Sequence, residues 1–297
     1  MLFTKLDAAE KRRLLRSRLA ADGIVRAPGA FSPLVAMGIE EAGFEAVYVS
    51  GAVLSANLGL PDIGLTTLTE VASRAEQIAR VTDLPTIVDC DTGFGEPMSV
   101  ARTVRMMEER GLSGLHLEDQ IMPKRCGHLD GKTLVSAHDM VQRIRSGADA
   151  RRDENLLIIA RTDAHAVEGL EAMIDRAGAY LEAGADMIFA EALSNEDEWR
   201  TAVAEIPGPL LANMTEFGKS KLLSAQELAD LGAKLVIYPV TTLRLAMKAA
   251  LDGLAQIAET GTQRDIVDRM QTRQELYALI RYEQYNRFDS EIFNFTI

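Results

Sequence analysis

The stretch "EEAGFEAVYVSG" (40–51) decides the fold. A helix-like run stops at Gly43, three residues later the chain is apolar ("AVYV", 46–49), and it ends on a small polar pair, Ser50–Gly51. Glycine reaches the left-handed conformation that stops a helix, so Gly43 reads as a helix end placed just before a strand. The same step recurs in "EERGLSGLHL" at Gly111, "LEAGADMIFA" at Gly184 and "ADLGAKLVIY" at Gly232.

Working outward, the chain holds eight short apolar runs: "IVRAPGA" (24–30), "AVYVSG" (46–51), "PTIVDCD" (85–91), "SGLHLED" (113–119), "NLLIIARTD" (155–163), "ADMIFAE" (185–191), "GPLLANM" (208–214) and "KLVIYPV" (234–240). Between them lie amphipathic segments such as "MSVARTVRMMEER" (98–110), apolar at three- and four-residue spacing. Strands apolar on both faces that alternate with helices form a parallel sheet covered by helices. Eight such units predict an α/β fold, a closed (β/α)₈ TIM-type barrel. The expected organisation is one domain, 1–297, with a helical C-terminal extension over about 241–297. That tail has no barrel strand left to cover, so it is expected to pack on a neighbouring subunit.

Of the 297 residues, 26% are charged, and the net charge is −12. An acidic surface of this kind argues against nucleic acid or an anionic membrane as the partner. There are two cysteines, Cys90 and Cys126, too few for a disulfide scaffold, which points to a reducing compartment. No apolar run approaches the ~20 residues of a membrane helix, and the N-terminus lacks a signal-peptide core. The expectation is a soluble, cytoplasmic protein.

In a barrel of this kind the loops after the strands form the reactive face. Polar residues crowd that end: Tyr48, Ser50 and Gly51, then Asp89 and Asp91, Glu118 and Asp119, Arg161 and Asp163, Glu191, Asn213 and Thr215, and Tyr238. A buried carboxylate is costly unless paired or bound to a cation. Asp89, Asp91 and Glu118 come from adjacent strands and offer hard oxygen donors, which favours Mg²⁺, with Mn²⁺ as second candidate, over zinc. Cys90, between two aspartates, is expected to point the other way, into the core. His116 is read as a core histidine, His138 as solvated, and His165 as near the reactive end.

Cys126 lies in "EDQIMPKRCGHLDGK" (118–132), a loop without periodicity. Lys124, Arg125 and His128 favour its thiolate. From spacing alone three readings stay open: a surface thiol, a weak metal site, or a cysteine–histidine nucleophile.

The pieces "YVSG", "LGLPDIGL", "DCDTGFG", "GLHLEDQ", "KRCGH", "ARTDA", "ANMTEFG" and "YP…LR" occur in the order in which they occur in the isocitrate lyase and phosphoenolpyruvate mutase superfamily. The chain resembles that superfamily over nearly its whole length, its 2-methylisocitrate lyase branch most of all. The resemblance implies a magnesium-dependent carbon–carbon lyase that cleaves 2-methylisocitrate to pyruvate and succinate in the methylcitrate cycle of propionate catabolism. Isocitrate, 2,3-dimethylmalate and oxaloacetate are the alternative substrates within it. It also implies a homotetramer whose last helices swap between subunits. By the same resemblance Cys126 is the general acid, Tyr48 or Glu191 handles the hydroxyl proton, and Arg161 and Arg244 clamp carboxylates of a tricarboxylate substrate. Ser50, Gly51, Asp62, Lys124, Arg125, Gly127, His128, Asn213 and Thr215 complete the substrate site, under a loop that closes to exclude water. "SGAVL" and "YPVTTLR" depart from the pattern of many relatives. Phe189 stands where isocitrate lyases carry a larger tryptophan, which leaves room for a methyl group.

Overall fold

Eight strands run parallel, each short and buried: β1 Val25–Pro28, β2 Val47–Val49, β3 Thr86–Asp89, β4 Gly114–Glu118, β5 Leu157–Thr162, β6 Met187–Ala190, β7 Leu210–Asn213 and β8 Leu235–Tyr238. The computed structural model describes residues 2, 4–125, 127, 131–218 and 220–293. The strands neighbour one another in the order β1-β8-β7-β6-β5-β4-β3-β2. A parallel bridge between Gly29 and Tyr48 joins the two ends, and the Ala30 amide donates to the Tyr48 carbonyl at 2.8 Å. The sheet therefore closes into the expected barrel.

The helices are α1 Ala8–Ala20, α2 Pro33–Glu41, α3 Gly51–Asn57, α4 Leu68–Ala79, α5 Pro97–Glu109, α6 Ala137–Ala150, α7 Leu170–Glu182, α8 Glu196–Glu205, α9 Ala225–Asp230, α10 Thr241–Thr260, α11 Arg273–Leu279 and α12 Tyr282–Phe293. Gly43 and Gly184, at φ +78° and +108°, turn helix into strand as the sequence predicts.

Strand alternation divides the interior into two cores. Tyr48, Ile87, Ile159, Met187, Phe189, Leu211 and Ile237 fill the barrel. Val88, Cys90, Leu115, Ile158, Ile188 and Val236 face outward against helices. Cys90 is thus the buried core residue its parity predicts.

No sequence pattern places α1, and the structure does. Its Leu15 joins the inner core. Arg12 Nε donates to the Leu112 carbonyl at 2.9 Å, and Arg16 Nη2 to the Leu156 carbonyl at 3.1 Å. One end of the barrel is thereby plugged, and the other, where the strands finish, is left for chemistry.

The tail is helical, as predicted; α10 stands off the barrel, whereas α11 returns to pack against α2. None of the residues of α10 is buried, and Leu245, Leu251 and Leu254 on it are exposed. Between α2 and α9, where a barrel's eighth helix belongs, lies an apolar cleft of about 730 Å³ lined by Leu34, Ile39, Phe44, Ala225 and Tyr238.

Candidate active site

Each strand delivers its last residues to the open end, and parity decides which turn inward. Asp89 ends β3 and Glu118 ends β4. Asp89 accepts from the Gly51 amide and from the Asp91 amide, both at 3.0 Å. A side chain at Gly51 would meet the carboxylates of Asp89 and Asp91, so only glycine lets α3 begin this close. Asp91 sits at φ +46°, a strained conformation for a residue with a side chain, and strain of this sort gathers at functional sites.

The charges do not balance by carboxylates alone. Lys124 Nζ lies 2.5 Å from Asp62 Oδ1 and 2.7 Å from Asp91 Oδ1. Burial opposes the charge of Lys124, yet Glu118, Asp91, Asp89 and Asp62 hold its ammonium above the usual lysine range. Burial also opposes the charge of Asp89, but His116, Lys124 and Arg161 outweigh it and bring the carboxyl down to about 2. Burial and then the Asp89 charge push Asp91 up to about 6.

Glu118 is fully buried, and neither of its carboxylate oxygens has a hydrogen bond. Arg161 Nη1 stands at 3.4 Å, an ion-pair distance only. Burial pushes Glu118 well above the usual carboxylate range. Two orphaned, buried, hard oxygens beside Asp89 and Asp91 are a donor set that fits a divalent metal ion. Among the described residues no three acidic, histidine or cysteine groups already converge on one metal-sized point. The ammonium of Lys124 lies against the same group of carboxylates.

Arg161, one residue before the end of β5, spans the mouth. Its Nε and Nη2 donate to Asp163 at 3.0 and 3.2 Å, and Nη2 lies 3.3 Å from Glu191. Its guanidinium stacks 5.1 Å over Phe189, which forms the floor. Asn213 Nδ2 reaches Glu191 Oε1 at 3.4 Å. A side chain at Gly127 would run into Arg161 and Glu191, so the loop crosses the mouth directly above them.

Tyr48, Asp62, Asp89, Asp91, Glu118, Lys124, Gly127, Arg161, Glu191 and Asn213 are therefore brought together with Ser50, whose hydroxyl caps α3, and Gly51. Thr215, half-buried, follows β7. Arg125 is exposed and is held by its backbone, its amide donating to Gln120 Oε1 at 2.8 Å. Arg244 pairs with Glu216 at 2.8 Å rather than with the carboxylate cluster. Cys126 and His128 lie outside the described residues.

His116 is the buried, hydrogen-bonded core histidine that the sequence suggests, and it also faces the site. Its Nε2 is 2.6 Å from the Tyr48 hydroxyl and 3.5 Å from Asp89. Burial holds its imidazole down at about 4, so it is neutral at pH 7. The signal was present in the sequence: His116 is two residues before Glu118, hence on the same face of β4. His165 pairs with Glu198 at 3.3 Å instead, and His138 is exposed as expected. Asp119 turns outward and accepts from the Tyr180 hydroxyl of α7 at 2.9 Å. It supports the site from behind rather than joining the carboxylate cluster.

Comparison with known proteins identifies the family. The family model described as phosphoenolpyruvate phosphomutase matches residues 15–258. The chain is 60% identical to "Probable 2-methylisocitrate lyase 2" of Corynebacterium glutamicum, covering 99% of this chain and 96% of that one. It is 49% identical to the 2-methylisocitrate lyase of Aeropyrum pernix, over 98% and 94% of the two chains. The crystal structure of a 2,3-dimethylmalate lyase superposes with a TM-score of 0.90 at 33% identity, over 97% and 96%. A family model that spans most of the chain and relatives of this identity agree, and the chain belongs to the phosphoenolpyruvate phosphomutase family, within the superfamily of the isocitrate lyases.

Proposed function

We propose that this protein is a carbon–carbon lyase that cleaves 2-methylisocitrate to pyruvate and succinate. The observation that carries the reading is Glu118, a buried carboxylate without hydrogen bonds, set beside Asp89 and Asp91 under Arg161, in a chain so close to named 2-methylisocitrate lyases. Relatives across the superfamily are generally metal-dependent. Asp89, Asp91 and Glu118 would hold Mg²⁺, directly or through water, with Mn²⁺ as second candidate. When bound, the ion supplies Lewis-acid polarisation of the substrate hydroxyl and its neighbouring carboxylate.

The chain's own groups supply the rest. Glu191 takes the proton of the C2 hydroxyl. We prefer it to Tyr48, because burial and then Asp89 push the Tyr48 hydroxyl well above its ordinary pKa, which makes it a donor and a poor base. The C2–C3 bond then breaks, and its electron pair stays on the succinyl carbon. Cys126 gives its thiol proton to that carbon and is left as thiolate, which Lys124 and Arg125 favour electrostatically. Arg161, with Arg244 swinging from Glu216, pairs with substrate carboxylates. Ser50, Gly51, Asp62, Gly127, His128, Asn213 and Thr215 position the remaining oxygens. Phe189 makes the floor, and its single ring leaves space for the methyl group.

The tail supports an assembly. We place α10 of one subunit in the apolar cleft between α2 and α9 of another, within a homotetramer of single-domain chains. No helix among the described residues is long and apolar enough to cross a membrane, and we assign the reaction to the cytoplasm. Steady-state rates with Mg²⁺ on 2-methylisocitrate, isocitrate, 2,3-dimethylmalate and oxaloacetate test the reading. The methylated tricarboxylate should have the highest kcat/KM, and faster turnover of any other would overturn the assignment.

A further inference from the structure

Asp163 is fully buried, and donors from three parts of the chain converge on it. Arg161 of the same strand gives two hydrogen bonds, at 3.0 and 3.2 Å. Gln120, at the start of the loop after β4, gives a third at 3.2 Å. Lys132, at the far end of that loop, gives a fourth at 2.9 Å. The same Lys132 ammonium also donates to the carbonyl of Gly127. Its side chain is only 2% exposed.

A buried lysine–aspartate pair is a poor source of net stability, because desolvating both charges costs about what their attraction returns. The sheet does not need it, since Asp163 already has Arg161. What Lys132 adds is a fixed link between the rim carboxylate and one specific loop carbonyl. Gly127 is the residue that lies directly on Arg161 and Glu191, and it follows Cys126 in the chain.

We propose that Lys132 and Asp163 form a latch that fixes Gly127 over Arg161, which makes both positioning residues for proton delivery by Cys126. This rests on the lyase reading above. The shared carboxylate gives the latch a link to substrate, because the arginine that receives a substrate carboxylate and the lysine that holds the loop bond to the same Asp163. The step served is a simple proton transfer: the S–H bond of Cys126 breaks, the C–H bond of succinate forms, and solvent reprotonates the thiolate. Run backwards in deuterated water, it exchanges the methylene protons of succinate.

The test uses the full-length enzyme with Mg²⁺ and the variant Lys132→Met. Turnover of 2-methylisocitrate should fall about a hundredfold in kcat, with KM changed by no more than about threefold, the pattern of a misplaced reacting group. Exchange of succinate protons, followed by NMR, should fall in parallel. Trypsin should cut after Arg125 faster than in wild type, while other sites, mapped by mass spectrometry, are cut as before. Lys132→Arg should recover part of each. A folded Lys132→Met with wild-type kcat, exchange and Arg125 protection overturns the latch. Should that variant fail to fold, Lys132→Gln, long enough for only one of the two acceptors, is read by the same three measurements. If wild type cleaves none of the four substrates while Arg125 protection still depends on Lys132, the lyase reading falls and the latch stands.

Discussion

Lys124 Nζ lies 2.7 Å from Asp91 Oδ1, with the lysine side chain 3% and the aspartate side chain 6% exposed. A cation of the chain itself thus neutralises the carboxylates proposed to hold a metal ion. Removing it leaves buried charges uncompensated, which typically costs about 3–5 kcal/mol. Lys124→Met is therefore expected to melt lower than wild type without divalent cation. It should regain more on addition of Mg²⁺, because the ion then replaces the missing charge. Melting curves with and without Mg²⁺ check this. An equal Mg²⁺ shift in both proteins would show that the metal does not share these carboxylates with Lys124.

Phe189 is buried under Arg161 and makes an edge contact with His116, ring centroids 5.4 Å apart. Phe189→Trp fills the space assigned to the substrate methyl. A methyl-sized difference in a pocket changes selectivity by about tenfold or more, so kcat/KM for 2-methylisocitrate should fall by about that factor relative to isocitrate. A ratio that does not move would place the methyl group elsewhere.

Asp163 carries a pH dependence. Burial opposes its charge, but Arg161 and Lys132 outweigh burial and hold its carboxyl below the ordinary 3.8. The folded chain then binds this proton less readily than the unfolded chain does. The stabilisation is complete above the ordinary carboxylate range and is lost as pH falls through the depressed folded-state value. Asp163→Asn should lower the melting temperature at neutral pH. Its deficit against wild type should shrink as pH falls from about 5 to about 3. A deficit that stays constant over that range would show that Asp163 is not the titrating group.

The exposed apolar face of α10 predicts association. Leu251 and Leu254 are 56% and 62% exposed on a helix without a buried residue. Contiguous apolar surface of this kind marks an interaction site. Leu251→Glu combined with Leu254→Glu should lower the mass found by light scattering from that of a tetramer. An unchanged mass would exclude α10 from the interface.

The barrel was legible because its strands are buried on both faces, so each appears as an unbroken apolar run closed by a glycine turn and a polar end. The carboxylates were legible for the same reason: Asp89, Asp91 and Glu118 stand where apolar runs stop. Parity separated Cys90 from its neighbours correctly. Applied to β4 it also pairs His116 with Glu118, and reading His116 as a core residue overlooked that. Asp119 and Asp163 look alike in sequence, yet one turns out to Tyr180 and the other caps Arg161, a difference set by the helices packed behind them. That α10 has no strand of its own to cover was legible, since no apolar run follows β8, but which surface receives it was not, because an amphipathic helix shows the same pattern whether it covers its own barrel or another's. The link between Lys132 and Asp163 spans 31 residues and leaves no periodic trace.

The most direct test of the central claim is the fate of 2-methylisocitrate in deuterated water with Mg²⁺, followed by NMR. Pyruvate and succinate are expected in equal amounts, with one deuteron in the succinate methylene, and both products should be lost in Cys126→Ser. Absence of cleavage in the wild type, or deuterium entering pyruvate in place of succinate, would contradict that claim.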